Sequence, residues 1–218
     1  MLLTGDRSVT AAHASVSGVA LDEDDRFRTY NTAVYVSPGI FDGSSALLRQ
    51  RRLQSALDHE MVHAALMPWT RAWMPGWLVE GTAVHRSNER RGDRSRLEAA
   101  LASGLSLRQV TESGVLRDPQ GDPFRVDLQY QLASETVALI SENWGVGKLI
   151  ELYRSYSLEF PEPWQGPYGV DYKDETSARK SRARFDLTQK LLKGVLGSSL
   201  EDLEASVRRR SQGTMGGR

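Results

Sequence analysis

No cysteine occurs anywhere in the 218 residues. Disulfides, thiol nucleophiles and zinc–thiolate sites are excluded together, so any metal ion must be held by His, Asp or Glu. Net charge is missing too. Lysine plus arginine and aspartate plus glutamate each number 28, so the chain lacks the basic field on which nucleic-acid or anionic-membrane binding relies, and nucleic acid is not an expected partner. Nowhere do eighteen apolar residues run together, and the opening MLLTGDRSVTAAHASVSG has no basic segment followed by an apolar run of secretory length. As written, the expectation is a cytoplasmic chain without a membrane span. A fragment of a longer exported protein would read the same way, and would then be extracellular or membrane-tethered.

What is present is the composition of a globular domain, 39% hydrophobic and 26% charged, with enough length to bury a core. TAVYVS at 32–37 is β-branched and aromatic and closes on Pro38-Gly39, which predicts a strand and turn. A poorer strand is expected around 15–21. From Ser45 to Met67, Leu48, Leu53, Ala56, Leu57, Met61, Ala64 and Ala65 recur at helical spacing up to Pro68, predicting one long helix.

Further helices are expected from Pro75 through MPGWLVEGTAVHRS, from near Asp127 to Gly145, over 147–156 and about 178–195, and from Ser198, which has capping-box spacing to Glu201. The stretch 157–177, rich in proline, glycine and aromatics, reads as an irregular loop, and the final SQGTMGGR as a disordered tail. Together these predict an α+β fold, mainly helical. A small N-terminal β-sheet precedes a central helix and a C-terminal helical part, in one domain over 1–210 followed by a disordered 211–218.

Inside the first helix lies HEMVH, residues 59–63. Four residues advance an α-helix by slightly more than one turn, so His59 and His63 share a face and both rings can reach one ion. Glu60, about 100° round the helix from His59, does not point straight at such an ion but suits a general base. A catalytic zinc usually takes three protein ligands. The third is expected in PGWLVEGTA, residues 75–83, because sixteen residues between His63 and Glu80 leave room for a turn and a returning helix. Gly81 would let the two helices approach closely, with Trp77 and Val84 packing on the face of Glu80. A solvated carboxylate is the competing reading of Glu80. The apolar Leu78 and Val79 beside it weigh against that, since a buried carboxylate needs a cation.

HEMVH followed by WLVEG resembles the gluzincin metallopeptidases, and among them the peptidase MA-like domains. The resemblance extends in pattern from TAVYVSP through YQLASETVALISENWGVGKLIELYRSY to LLKGVLGSSLEDLEASV, roughly residues 30–210. It implies a zincin-like fold and one Zn2+ held by His59, His63 and Glu80. It further implies hydrolysis of a peptide or protein substrate by a zinc-bound water that Glu60 activates, without a covalent intermediate. The spacing to Glu80 is slightly shorter than usual there, and Val84 stands where an aspartate would orient a histidine, so the partner of the ligands is unassigned. Tyr130 falls where related enzymes place an oxyanion donor, and equally where a core tyrosine would sit.

Two alternatives accompany this reading. One is a non-catalytic zinc-binding or scaffold module on the same fold. The other is a helical interaction protein without metal, in which the three side chains do not converge. The remaining polar residues carry blander expectations. His85 is too far round from Glu80 to share its face and His13 has no nearby partner. Asp58 and Glu135 are solvated or supporting residues. Arg86, Arg90, Arg91, Arg94 and Arg96 form a solvated charged stretch. The strand at 32–37 could pair with an extended substrate, and Phe160, Trp164, Tyr168 and Tyr172 line a cleft or pack under their loop. Nothing in the sequence specifies the oligomeric state.

Overall fold

A computed structural model describes residues 2–3, 12–16, 19–21, 27–29, 32–36, 45–71, 73–87, 89, 94–113, 116, 123–159, 161 and 177–213. The chain separates into two compact units, residues 1–68 with 86–89, and residues 69–85 with 90–218.

In the first unit, short backbone ladders precede a long helix. The segments are β1 (Leu2–Leu3), β2 (Ala12–Val16), β3 (Val19–Leu21), β4 (Phe27–Thr29) and β5 (Thr32–Val36). Segment β5 runs parallel to β1 and antiparallel to β2, while β3 pairs with β4. Helix α1 spans Ala46–Leu66, capped by Ser45, whose side chain accepts from the Leu48 amide at 3.4 Å.

The burial of α1 departs from the apolar stripe that its sequence suggests. Leu48 is 49% exposed and Met61 59% exposed, whereas the two buried residues of the helix are His59 and Glu60, each 6% exposed. Ionisable side chains are rarely buried without a partner or a metal.

The second unit is built by helices: α2 (Gly76–Arg86), α3 (Arg94–Ala102), α4 (Leu107–Ser113), α5 (Pro123–Trp144), α6 (Val146–Leu158), α7 (Ser177–Leu196) and α8 (Leu200–Gln212). Helix α2 lies at its centre. Trp77, Leu78, Gly81, Thr82, Ala83 and Val84 are all buried, as expected of a helix that is apolar around most of its circumference. The tryptophan and tyrosine polar atoms of this core are paired rather than absent. Trp77 donates through Nε1 to Thr111 Oγ1 at 2.8 Å, Tyr153 through its hydroxyl to the Leu78 carbonyl at 3.0 Å, and Tyr156 to Thr188 Oγ1 at 2.7 Å. Burial pushes both phenols well above the ordinary tyrosine range, so they stay neutral donors. Between α5 and α6, Gly145 adopts φ +84°, a left-handed conformation that suits a residue without Cβ and allows the sharp change of direction.

The structure overturns the predicted α+β, zincin-like class. Of the interpretable residues 83% are helical, in eight helices; the paired segments β1–β5 lie outside that set, so no β-sheet layer is part of the described core. The described core, from Trp73 to Val207, is made by helix packing on helix. TAVYVS does pair, at Thr32–Val36 with β1 and β2, but helices make up most of the interpretable residues.

Two helices were not expected at all. Helix α3 offers only Leu97 and Leu101 as buried anchors, and α4 is seven residues long. Both are held from outside. Arg208 donates to the Leu101 and Leu105 carbonyls at 2.7 and 3.2 Å, and Glu204 accepts from the Leu107 amide at 2.7 Å.

The capping box of α8 is also displaced by one residue from the expected Ser198–Glu201 pair. Ser199 Oγ accepts from the Asp202 amide at 3.0 Å, and Asp202 accepts from the Ser199 amide at 3.0 Å. The bonds from the Ser199 hydroxyl and backbone hold the Asp202 carboxyl below its ordinary 3.8. A depressed folded pKa adds stability that is complete above the unfolded value and lost as pH falls through the folded one. Thermal unfolding of wild type and Asp202→Ala is therefore expected to differ by a constant gap from pH 7 down to about pH 5, narrowing below 3.8. A gap unchanged at pH 2 would dissociate the ionised carboxylate from the cap.

Among the described residues, no helix is long and apolar enough to cross a membrane. Helix α8 reaches Gln212, and residues 214–218 of the expected tail lie outside the described residues, as do Phe160, Trp164, Tyr168 and Tyr172.

Candidate metal centre

The site begins from α1. His59 and His63, one turn apart, bring their Nε2 atoms to 3.0 Å, with ring centroids 4.8 Å apart and planes at 72°. Two imidazole Nε2 atoms at that distance either share a proton or face one cation. His59 is anchored at its far side, where Nδ1 lies 3.1 Å from a carboxylate oxygen of Glu89. A carboxylate accepts hydrogen bonds, so Nδ1 carries the proton and the Nε2 lone pair of the neutral ring is left for a cation. Glu60 follows His59 in the buried part of the helix.

Glu80 stands on α2, half-buried between buried Leu78 and Gly81. Its negative charge adds, after burial, to the upward shift of the Tyr153 phenol. Trp77 and Val84, expected on its face, are both buried. Gly81 does permit a close helix approach, but the partner is α5. A Cβ there would meet the Ala133 carbonyl oxygen and lie 2.6 Å from the Ala133 carbonyl carbon.

One group of three His, Asp or Glu side chains that could hold a metal ion occurs among the described residues: His59, His63 and Glu80. Each offers one ligand atom, and these atoms all lie within 4.8 Å of one another. Two nitrogens and one carboxylate oxygen are the donors zinc takes in catalytic sites. Ligand nitrogens ~2.0–2.1 Å from one tetrahedral ion stand roughly 3.3 Å apart, close to the spacing of the imidazole pair. The residues present thus fit the group.

The other sequence candidates fall elsewhere. Tyr130 is half-buried in the first half of α5. Asp58 accepts from Gln54 Nε2 at 2.7 Å, and Glu135 pairs with Arg210 at 3.4 Å. His85 is half-buried on α2, and Arg86 and Arg96 are exposed. The side chains of His13, Arg90, Arg91, Arg94 and of strand 32–36 lie outside the described residues.

The residue that sequence reasoning missed is Glu89. It lies thirty positions from His59 in a polar stretch after α2 that reads as solvated, so no spacing rule reaches it. Comparison with protein-family models, with curated proteins and with solved structures finds no match to this chain.

Proposed function

We infer that the protein is a zinc-dependent metallopeptidase. The observation that carries the reading is the group of His59, His63 and Glu80, whose ligand atoms lie within 4.8 Å of one another, beside a carboxylate, Glu60, that is itself buried. His59 and His63 would hold the ion through Nε2, and Glu80 through a carboxylate oxygen. When bound, zinc supplies Lewis acidity that polarises a peptide carbonyl and makes water a competent nucleophile near neutral pH.

The chain's own residues then move the protons. Glu60 takes one from the attacking water onto a carboxylate oxygen as the water oxygen bonds to the carbonyl carbon. It delivers that proton to the amine nitrogen as the C–N bond breaks. The proposed substrate is a peptide or protein. A zinc-binding scaffold would share the three ligands but would have no use for a general base at position 60.

Protein stripped by a chelator and titrated with Zn(II) is expected to bind one ion per chain and to regain cleavage of a quenched peptide library at one equivalent. His63→Ala and Glu80→Ala are each expected to lose stoichiometric binding. A wild-type protein that takes up no zinc, or both variants binding as wild type does, would remove the metal assignment.

A further inference from the structure

We propose that Glu89 is the positioning residue of the metal centre, fixing His59 in the one tautomer that can ligate; this rests on the zinc reading above. A neutral imidazole has two tautomers, and only that with the proton on Nδ1 leaves Nε2 free for an ion. His59 Nε2, not Nδ1, is the atom that faces His63, so the ring is useful only in that state. Glu89 supplies the selection by accepting from Nδ1 at 3.1 Å.

The contact is not an ordinary surface pair. The His59 side chain is 8% exposed and that of Glu89 21%, which limits screening by water and holds the ring at a fixed tilt. Residues 86–89 belong to the same compact unit as α1, so Glu89 is placed with the helix whose histidine it orients. Val84, four residues after Glu80, is apolar and cannot perform this role.

An ionised carboxylate behind a ligating imidazole also raises the basicity of its outer nitrogen, and loss of such partners typically weakens metal binding by about 10- to 100-fold. Glu89→Ala is expected to weaken Zn(II) binding by about that factor in competition with a chromophoric chelator. Glu89→Gln retains an acceptor without the charge and is expected to fall between Ala and wild type.

A second readout does not need the metal. Long-range 1H–15N correlations resolve the tautomers of the four histidines, and His59 is expected to carry its proton on Nδ1 in wild type and Glu89→Gln. In Glu89→Ala a mixture should appear. A merely structural Glu89 would change thermal stability without moving the tautomer. Zinc binding by Glu89→Ala equal to wild type, or a His59 proton on Nε2 in wild type, overturns the proposal while leaving the metal site standing. Failure of wild type to bind zinc removes the site itself, and a positioning role with it.

Discussion

Glu60→Gln is expected to lower peptide hydrolysis by about 100- to 10,000-fold, the usual worth of a general base, while one zinc ion per chain is still bound. Glutamine matches glutamate in size and keeps a carbonyl acceptor, but it cannot take a proton at neutral pH. The three ligands are untouched. Thermal stability is expected to change little, because glutamine keeps the size and shape of a side chain that is only 6% exposed. That combination of lost turnover, retained metal and undiminished melting temperature distinguishes a catalyst from a scaffold. Cleavage by Glu60→Gln at the wild-type rate would eliminate the proposed mechanism and leave a zinc-binding protein.

How far the sequence foretold this arrangement depends on the range of the interaction. HEMVH is legible because helical geometry alone puts residues four apart on one face, and the 3.0 Å separation of His59 and His63 Nε2 follows from it. Glu80 was legible from chemistry, as a carboxylate set among apolar residues in an otherwise buried helix. Glu89 was not, because nothing local marks the end of a polar turn as the partner of a ring thirty residues earlier.

The same contrast runs through the fold. Helices with strong periodicity were anticipated within a few residues, but α3 and α4 depend on Arg208 and Glu204 from the far end of the chain. In α1 the apolar spacing marked the helix correctly, Ala46–Leu66, but not its buried side, which carries His59 and Glu60. Both Ser198 and Ser199 have an acidic residue three positions on, and sequence cannot choose between them. Burial does, since Ser198 is 9% exposed and it is Ser199 that caps. β-propensity marked the Thr32–Val36 segment, which pairs with β1 and β2, but it says only that a segment fits a pleated surface and does not set the helical share of the chain.

Gly81→Ala is the substitution expected to cost the fold most for the least added volume. A single methyl would meet the carbonyl oxygen of Ala133, its carbon at 2.6 Å and Val137 Cγ2 at 3.0 Å. Val137 can turn, but the carbonyl belongs to the backbone of α5 and cannot move without the helix. Overpacking of this kind costs about 1–3 kcal/mol, and contact with backbone puts it at the upper end. The gain in helix propensity from Gly to Ala, about 1 kcal/mol, offsets part of that.

The net loss of about 2 kcal/mol lowers the melting temperature by roughly 4–8 °C in a chain of this length. Gly194 provides the control, lying in α7 with nothing within 4 Å of an added Cβ. Gly194→Ala should therefore keep only the propensity gain and melt at or above wild type. Because Glu80 is the residue before Gly81, the same backbone shift moves a proposed ligand, so Gly81→Ala should also bind zinc more weakly than Gly194→Ala does. A Gly81→Ala protein that melts as high as Gly194→Ala would show that α2 does not run against the α5 backbone, and would remove the packing that holds Glu80 in place.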